Sequence, residues 1–178
     1  MAAVSTVVIL LNAGGHIVVG SDVYGGTYRV FTKVFDRIGV KSTFVDTTDE
    51  AAVRNAITAQ TKMLYIETPT NPLLNVTDIA RMAEIAREHQ LITVVDNTFM
   101  TPYFQNPIDL GADIVLHSAT KYIGGHSDVV AGLLVTKDAE LAERIGFIQN
   151  SVGGVLGPQD SFLLVRGIKT LAIRMEQT

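Results

Sequence analysis

The chain has no cysteine and no tryptophan. Without cysteine there is no disulfide scaffold, no thiol nucleophile and no thiolate metal site. The composition permits a cytoplasmic address, where thiol-free chains are at no disadvantage. Charge is also sparse: 18% of residues are Asp, Glu, Lys or Arg, and 14 basic against 18 acidic side chains leave a net charge of −4. Such a balance lacks the positive footprint that nucleic acid or an anionic membrane surface demands. No apolar run approaches the ~20 residues needed to cross a bilayer. The apolar opening, residues 1–11, has no basic flank, because the first Lys or Arg is Arg29, so it does not read as a signal peptide.

What is present is a 178-residue chain that is 47% hydrophobic. Area scaling allows about 70% of the unfolded surface of a chain this size to be buried. Disorder is excluded, and one domain or a large part of one is expected. An apolar helix at the very start, closed by Asn12-Ala13-Gly14-Gly15, and a helical pattern over 158–178 with no stop point to a piece of a larger chain.

Apolar runs alternate with amphipathic stretches. The pattern predicts strands over 16–21, 41–46, 63–67, 91–96, 114–118 and 129–135. Helices are predicted over 27–38 and 49–60, from a cap at Thr77 to His89, over 138–148, and from Pro158 onward. Strands that are apolar throughout and alternate with helices imply an α/β fold with a mostly parallel sheet covered on both faces.

Several α/β chemistries lack their signatures. There is no G-x-G-x-x-G after the first strand, no Walker A lysine loop and no G-x-S-x-G elbow. The four histidines, His16, His89, His117 and His126, show no metal-ligand spacing.

Four polar groups stand at the carboxyl ends of apolar strands, where open α/β sheets place ligands. Asp96 closes Ile92-Thr-Val-Val-Asp96 and is at risk of burial, which requires a cationic or strongly donating partner. On position alone, a cap or turn aspartate is the more frequent occurrence. In Asp113-Ile-Val-Leu-His-Ser118-Ala-Thr120-Lys121, two hydroxyls precede a lysine and then a glycine pair. Hydroxyls and turn amides at a strand end suit a phosphate, and a lysine in a partly dry site can act as an amine nucleophile. A single lysine is more often a solvated surface residue. Tyr24, followed by Gly25-Gly26, can lay its ring on a planar ligand or serve as a core aromatic at a turn. Asn71, between Pro69 and Pro72, can offer an amide or belong to an ordinary proline turn. Taken together, a phosphate anchor, an imine-forming lysine and a carboxylate for a pyridinium nitrogen are what pyridoxal phosphate requires of a protein. A nucleotide- or sugar-phosphate-binding α/β domain with Lys121 as a plain phosphate ligand, or a non-catalytic piece, are the readings of other classes.

These residues resemble those of the trans-sulfuration enzymes, the Cys/Met-metabolism family of pyridoxal-phosphate proteins with the aspartate-aminotransferase-like fold. The segment 113–127 is similar to that family's cofactor-attachment signature throughout. Val23-Tyr-Gly-Gly-Thr-Tyr28, Ile66-Glu-Thr-Pro-Thr-Asn-Pro72, Val95-Asp-Asn-Thr98 and Arg166-Gly-Ile-Lys-Thr-Leu171 resemble its other blocks. The resemblance covers essentially the whole chain and implies the large cofactor domain, in part, without the family's N-terminal arm and C-terminal domain. It implies that Lys121 carries the cofactor as an imine and later shuttles protons, and that Asp96 pairs with the ring nitrogen. It further implies that Tyr24 stacks on the ring, Ser118 and Thr120 bind the phosphate, Asn71 faces the ring hydroxyl, and Met1 stands where the phosphate-binding helix begins. The implied reaction is elimination or replacement at the γ-carbon of a sulfur amino acid, of the cystathionine γ-lyase or γ-synthase type. Cystathionine β-lyase and methionine γ-lyase are the alternatives within the family. The Tyr24-Gly25-Gly26 turn lacks the cysteine found after the corresponding Tyr-Gly of many methionine γ-lyases. A small amino-acid substrate and a homo-oligomer, a dimer of dimers, are implied as partners. The resemblance implies that the arginine that clamps the substrate carboxylate belongs to the family's C-terminal domain, outside these 178 residues.

Overall fold

Runs such as Ile17-Val-Val19, Met63-Leu-Tyr-Ile66 and Ile114-Val-Leu116 are rich in β-branched and aromatic side chains, which fit a pleated surface buried on both faces. The computed structural model, which describes residues 1–178, folds them into one six-stranded sheet. The strands are β1 (His16–Gly20), β2 (Lys41–Val45), β3 (Thr61–Glu67), β4 (Ile92–Asp96), β5 (Ile114–Ser118) and β6 (Gly132–Val135). Their order across the sheet is β2-β1-β3-β4-β5-β6. The first five are mutually parallel, and β6 runs antiparallel to β5. The helices are α1 (Ala2–Ile9), α2 (Gly25–Lys33), α3 (Glu50–Ala56), α4 (Ile79–Glu88), α5 (Thr101–Phe104), α6 (Ala139–Val152), α7 (Pro158–Ile168) and α8 (Leu171–Glu176).

The period-two alternation of the strands divides the core. Ile17, Val19, Met63, Tyr65, Val94, Ile114 and Leu116 meet Val4, Val7 and Val8 of α1, Phe31 of α2 and Ile148 of α6. Val18, Leu64, Ile66 and Val95 meet Ile79, Met82 and Ile85 of α4 on the other face. Full burial of one such side chain contributes about 1.5–3 kcal/mol, so the three valines anchor α1 firmly despite its eight residues. A smaller cluster of Ala119, Ile123, Val129 and Leu164 seats the turn after β5 on α7.

Several boundaries differ from the sequence expectation. The helix expected over 27–38 changes to a 3₁₀ turn at Phe35–Ile38, closed by Gly39 at φ +90°. The helix expected over 49–60 ends at Ala56, and β3 starts two residues early, at Thr61. The cap of α4 is Asp78, whose side chain accepts from the Arg81 N–H, not Thr77. Thr77 instead shares a 2.6 Å hydrogen bond with Thr47. The last strand begins at Gly132, because Val129 is drawn into the cluster under α7. The helix after Pro158 breaks near Thr170 into α7 and α8. No helix is long and apolar enough to cross a membrane.

The strand order fixes where a ligand belongs. From β1 the chain passes to β2 on one side and then to β3 on the other, so the crevice between the carboxyl ends of β1 and β3 is a topological switch point.

Candidate active site

Strand parity sets the chemistry of that crevice. Residues 63 and 65 face α1, so Glu67 at the end of β3 faces the same side; so do Asp96 after Val94 and Ser118 after Leu116. A cavity of about 240 Å³ opens there, lined by Met1, Tyr24, Asn71, Asp96, Ser118, Thr120 and Lys121, together with Glu67, Thr98 and Phe99. It adjoins a broader cleft of about 1010 Å³ that shares Asn71, Phe99, Thr120 and Lys121. All seven residues singled out from the sequence therefore converge on one cavity.

Asp96 is 7% exposed. Its Oδ1 accepts from the Thr98 N–H at 3.1 Å and the Thr98 hydroxyl at 2.5 Å, and its Oδ2 accepts from the Tyr65 hydroxyl at 3.4 Å. Burial pushes the carboxyl above the usual aspartate range, and these bonds oppose the rise. An ionised Asp96 thus favours a cation beside it. Tyr65, wholly buried and edge-on to Phe31, has its phenol pushed well up by burial and by Asp96.

Glu67, paired in register with Asp96, is also 7% exposed. Its Oε2 accepts from the Tyr24 N–H at 2.9 Å and its Oε1 from the Asn71 N–H at 3.0 Å. Burial brings the carboxyl up to about 7, while those two N–H groups pull it down.

Tyr24 caps the start of α2 and is half-exposed, its ring lying over Gly26. Ser118 receives support from Thr98, whose hydroxyl accepts the Ser118 N–H at 2.8 Å. The Thr120 hydroxyl is engaged with Ala131, donating to its carbonyl at 3.2 Å and accepting from its N–H at 3.0 Å. Lys121 sits in the turn after β5 and takes part in none of the molecule's ion pairs. That turn is braced by Arg174, whose guanidinium donates to the Tyr122 carbonyl at 2.5 Å and the Gly167 carbonyl at 3.0 Å. Met1 stands at the N-terminus of α1, which faces the cavity with its first-turn N–H groups free of side-chain caps.

Sequence reasoning missed Glu67, Tyr65, Thr98 and Arg174 as parts of the site. Glu67 and Thr98 lay in segments already singled out, and strand parity relative to Asp96 was the signal that could have marked Glu67.

The residues fit pyridoxal phosphate. A buried carboxylate that favours a cation, an exposed lysine, strand-end hydroxyls beside an open helix N-terminus, and an aromatic ring share one cavity. Comparison with known proteins agrees. The chain is 64% identical over 176 residues to the cystathionine gamma-lyase of Bacillus subtilis (strain 168), covering 99% of this chain and 46% of that protein. It is 57% identical over 176 residues to the cystathionine beta-lyase of Lactococcus lactis subsp. cremoris (strain MG1363), with the same coverage. The crystal structure of cystathionine gamma-lyase from Lactobacillus plantarum complexed with L-serine superposes with a TM-score of 0.95 at 57% identity, over 97% of this chain and 45% of that one. The chain spans about half the length of the curated relatives it matches. The family model described as Cys/Met metabolism PLP-dependent enzyme matches residues 1–178, and the chain belongs to that family of pyridoxal-phosphate enzymes.

Proposed function

We propose that this chain supplies the cofactor-binding half of an enzyme that eliminates or replaces a substituent at the γ-carbon of a sulfur amino acid, of the cystathionine γ-lyase or γ-synthase type. The observation that carries the reading is the convergence of Lys121, Asp96 and Tyr24 on one cavity at the switch point of the sheet. The 64% identity to a γ-lyase supports γ-chemistry, and the 57% identity to a β-lyase keeps β-elimination as the second reading.

When bound, pyridoxal phosphate supplies an imine-forming aldehyde and an electron-withdrawing ring that acidifies the substrate's Cα–H. The Asp96 carboxylate would pair with the ring nitrogen and keep it protonated, while Thr98 and Tyr65 hold the carboxylate in place. Ser118 and the N-terminus of α1, entered through Met1, would hold the phosphate, joined by Thr120 once its hydroxyl turns from the Ala131 carbonyl. Tyr24 would cover one face of the ring and exclude water, and Asn71 would present its amide to the ring hydroxyl. Lys121 Nζ would be the amine that holds the cofactor, and as a base it would move a proton at Cα and then one at Cβ, which γ-chemistry demands. A homo-oligomeric assembly, a dimer of dimers, is proposed for the whole protein from the family resemblance alone.

The test feeds the whole enzyme L-cystathionine, and separately O-acyl-homoserine with cysteine. Cysteine, 2-oxobutanoate and ammonia from the first substrate mark a γ-lyase, and cystathionine from the second marks a γ-synthase. Homocysteine, pyruvate and ammonia as the dominant products would establish the β-lyase instead.

A further inference from the structure

Glu67 is a buried carboxylate without a cation. None of the molecule's ion pairs includes it, and Asp96 and Asp22 repel it. Leaving a carboxylate in such a place costs stability, so packing alone does not account for it. What it does have is two backbone donors, one on each oxygen, from Tyr24 and Asn71. A carboxylate can accept both, whereas the amide of a glutamine has a single acceptor oxygen.

The location adds a second argument. Tyr24 follows β1 and Asn71 follows β3, so the Glu67–Tyr24 bond bridges the two loops at the topological switch point. Asp22 makes a return stitch from the β1 loop to the β3 loop, accepting from the Thr70 hydroxyl and from the Leu73 N–H at 3.1 Å. Tyr24 is half-exposed; its carbonyl accepts from the Tyr28 N–H at 3.1 Å at the start of α2, and its own N–H is held by Glu67, with no side-chain cap on the helix.

We propose that Glu67 is a positioning residue: its carboxylate fixes the Tyr24 turn relative to Asn71, so that ring and amide meet one planar cofactor together. The inference deepens the reading of this cavity as the pyridoxal-phosphate site and rests on it.

The test compares Glu67→Gln and Glu67→Asp with the parent in the whole holoenzyme. The readouts are the cofactor dissociation constant by absorbance titration and the visible circular dichroism of the bound cofactor. Glu67→Gln should raise the dissociation constant roughly tenfold, the scale of one lost hydrogen bond to a charged group, and alter the dichroic band. Glu67→Asp keeps the charge but withdraws it by a methylene, and should act in the same direction; it decides the matter if the glutamine variant does not fold. In a Tyr24→Ala background, where the positioned ring is gone, Glu67→Gln should change the constant less than about threefold. Unchanged affinity and dichroism, or an equal effect in both backgrounds, would overturn the positioning role. Borohydride reduction of the parent should leave the pyridoxyl group on Lys121. Label elsewhere would overturn the cofactor-site reading itself, a failure distinct from an inert Glu67 beside a labelled Lys121.

Discussion

The ring of Tyr24 lies against Gly26: a Cβ on residue 26 would stand 2.4 Å from Tyr24 Cε1 and 3.0 Å from Cδ1. Gly25, by contrast, has open space around it. The second glycine of the pair is therefore the one that gives the ring its place. Gly26→Ala should displace the ring without unfolding the protein, because Tyr24 is half-exposed and free to swing outward. On the proposed stacking of Tyr24 over the cofactor, an aromatic contact worth about 0.5–1.5 kcal/mol is lost, and cofactor affinity should fall roughly 2- to 12-fold. Gly25→Ala should leave it nearly unchanged. Absorbance titration of both variants checks the contrast.

Asp96→Ala should separate catalysis from folding. The substitution removes a carboxyl that burial already disfavours, at the cost of acceptors for Thr98 and Tyr65. Unfolding free energy should change by only about 1 kcal/mol. With Asp96 as the proposed counter-charge of the ring nitrogen, turnover should fall on the order of 10²-fold or more once that charge is gone from the site. Near-normal turnover with cofactor bound would remove Asp96 from the mechanism.

The strand ends were legible in the sequence because buried parallel strands read as plain apolar runs, so that Asp96, Ser118 and Lys121 stand out where each run stops. Glu67 ends such a run too, but its importance depends on facing the same side as Asp96, and register between strands is not written in either segment alone. Between β4 and β5 the chain makes α5 and a 3₁₀ turn at Pro107–Leu110, four residues each, too short to leave a periodic signal. The engagement of Thr120 with Ala131 follows from the antiparallel return of β6, a tertiary fact.

His16 lies at the opposite end of the sheet from the cavity. Its Nδ1 is 2.8 Å from the Thr61 hydroxyl and its Nε2 is 2.9 Å from the Thr43 hydroxyl, tying β1 to both neighbours. Burial lowers its pKa below the ordinary 6.5. Below pH 6.5 the unfolded chain therefore binds the proton more readily than the folded one. The stability contributed by neutral His16 is complete above that pH and declines as the pH falls toward the folded value. Buried His117, also lowered, adds to the same slope. Glu67, raised to about 7, and Asp96, also raised, act in the opposite direction, so the test is a difference: between pH 7.5 and 5.5 the urea midpoint of the parent should lose ground relative to that of His16→Gln. An unchanged slope in the variant would show that His16 is not the group responsible.

Gly167 of α7 meets Gly124 of the Lys121 turn so closely that a Cβ on residue 167 would stand 2.2 Å from the Gly124 carbonyl oxygen and 3.1 Å from that of Ile123. Both obstacles are backbone, so a side-chain rotation cannot relieve the clash. Gly167→Ala must push α7 away from the turn, disturbing the bonds of Arg174 to Tyr122 and Gly167 that brace it. The cost should be about 1–3 kcal/mol, the range for overpacking a tight interface. Because the turn carries Lys121, the rate of imine formation should fall as well. Gly146 lies inside α6 with nothing within 4 Å of the equivalent position. There the same substitution should stabilise by about 0.5–1 kcal/mol through helix propensity alone. Thermal unfolding of the two variants should therefore move in opposite directions, and only Gly167→Ala should slow the appearance of the cofactor's imine absorption. A neutral Gly167→Ala would mean that α7 does not hold the lysine turn in place.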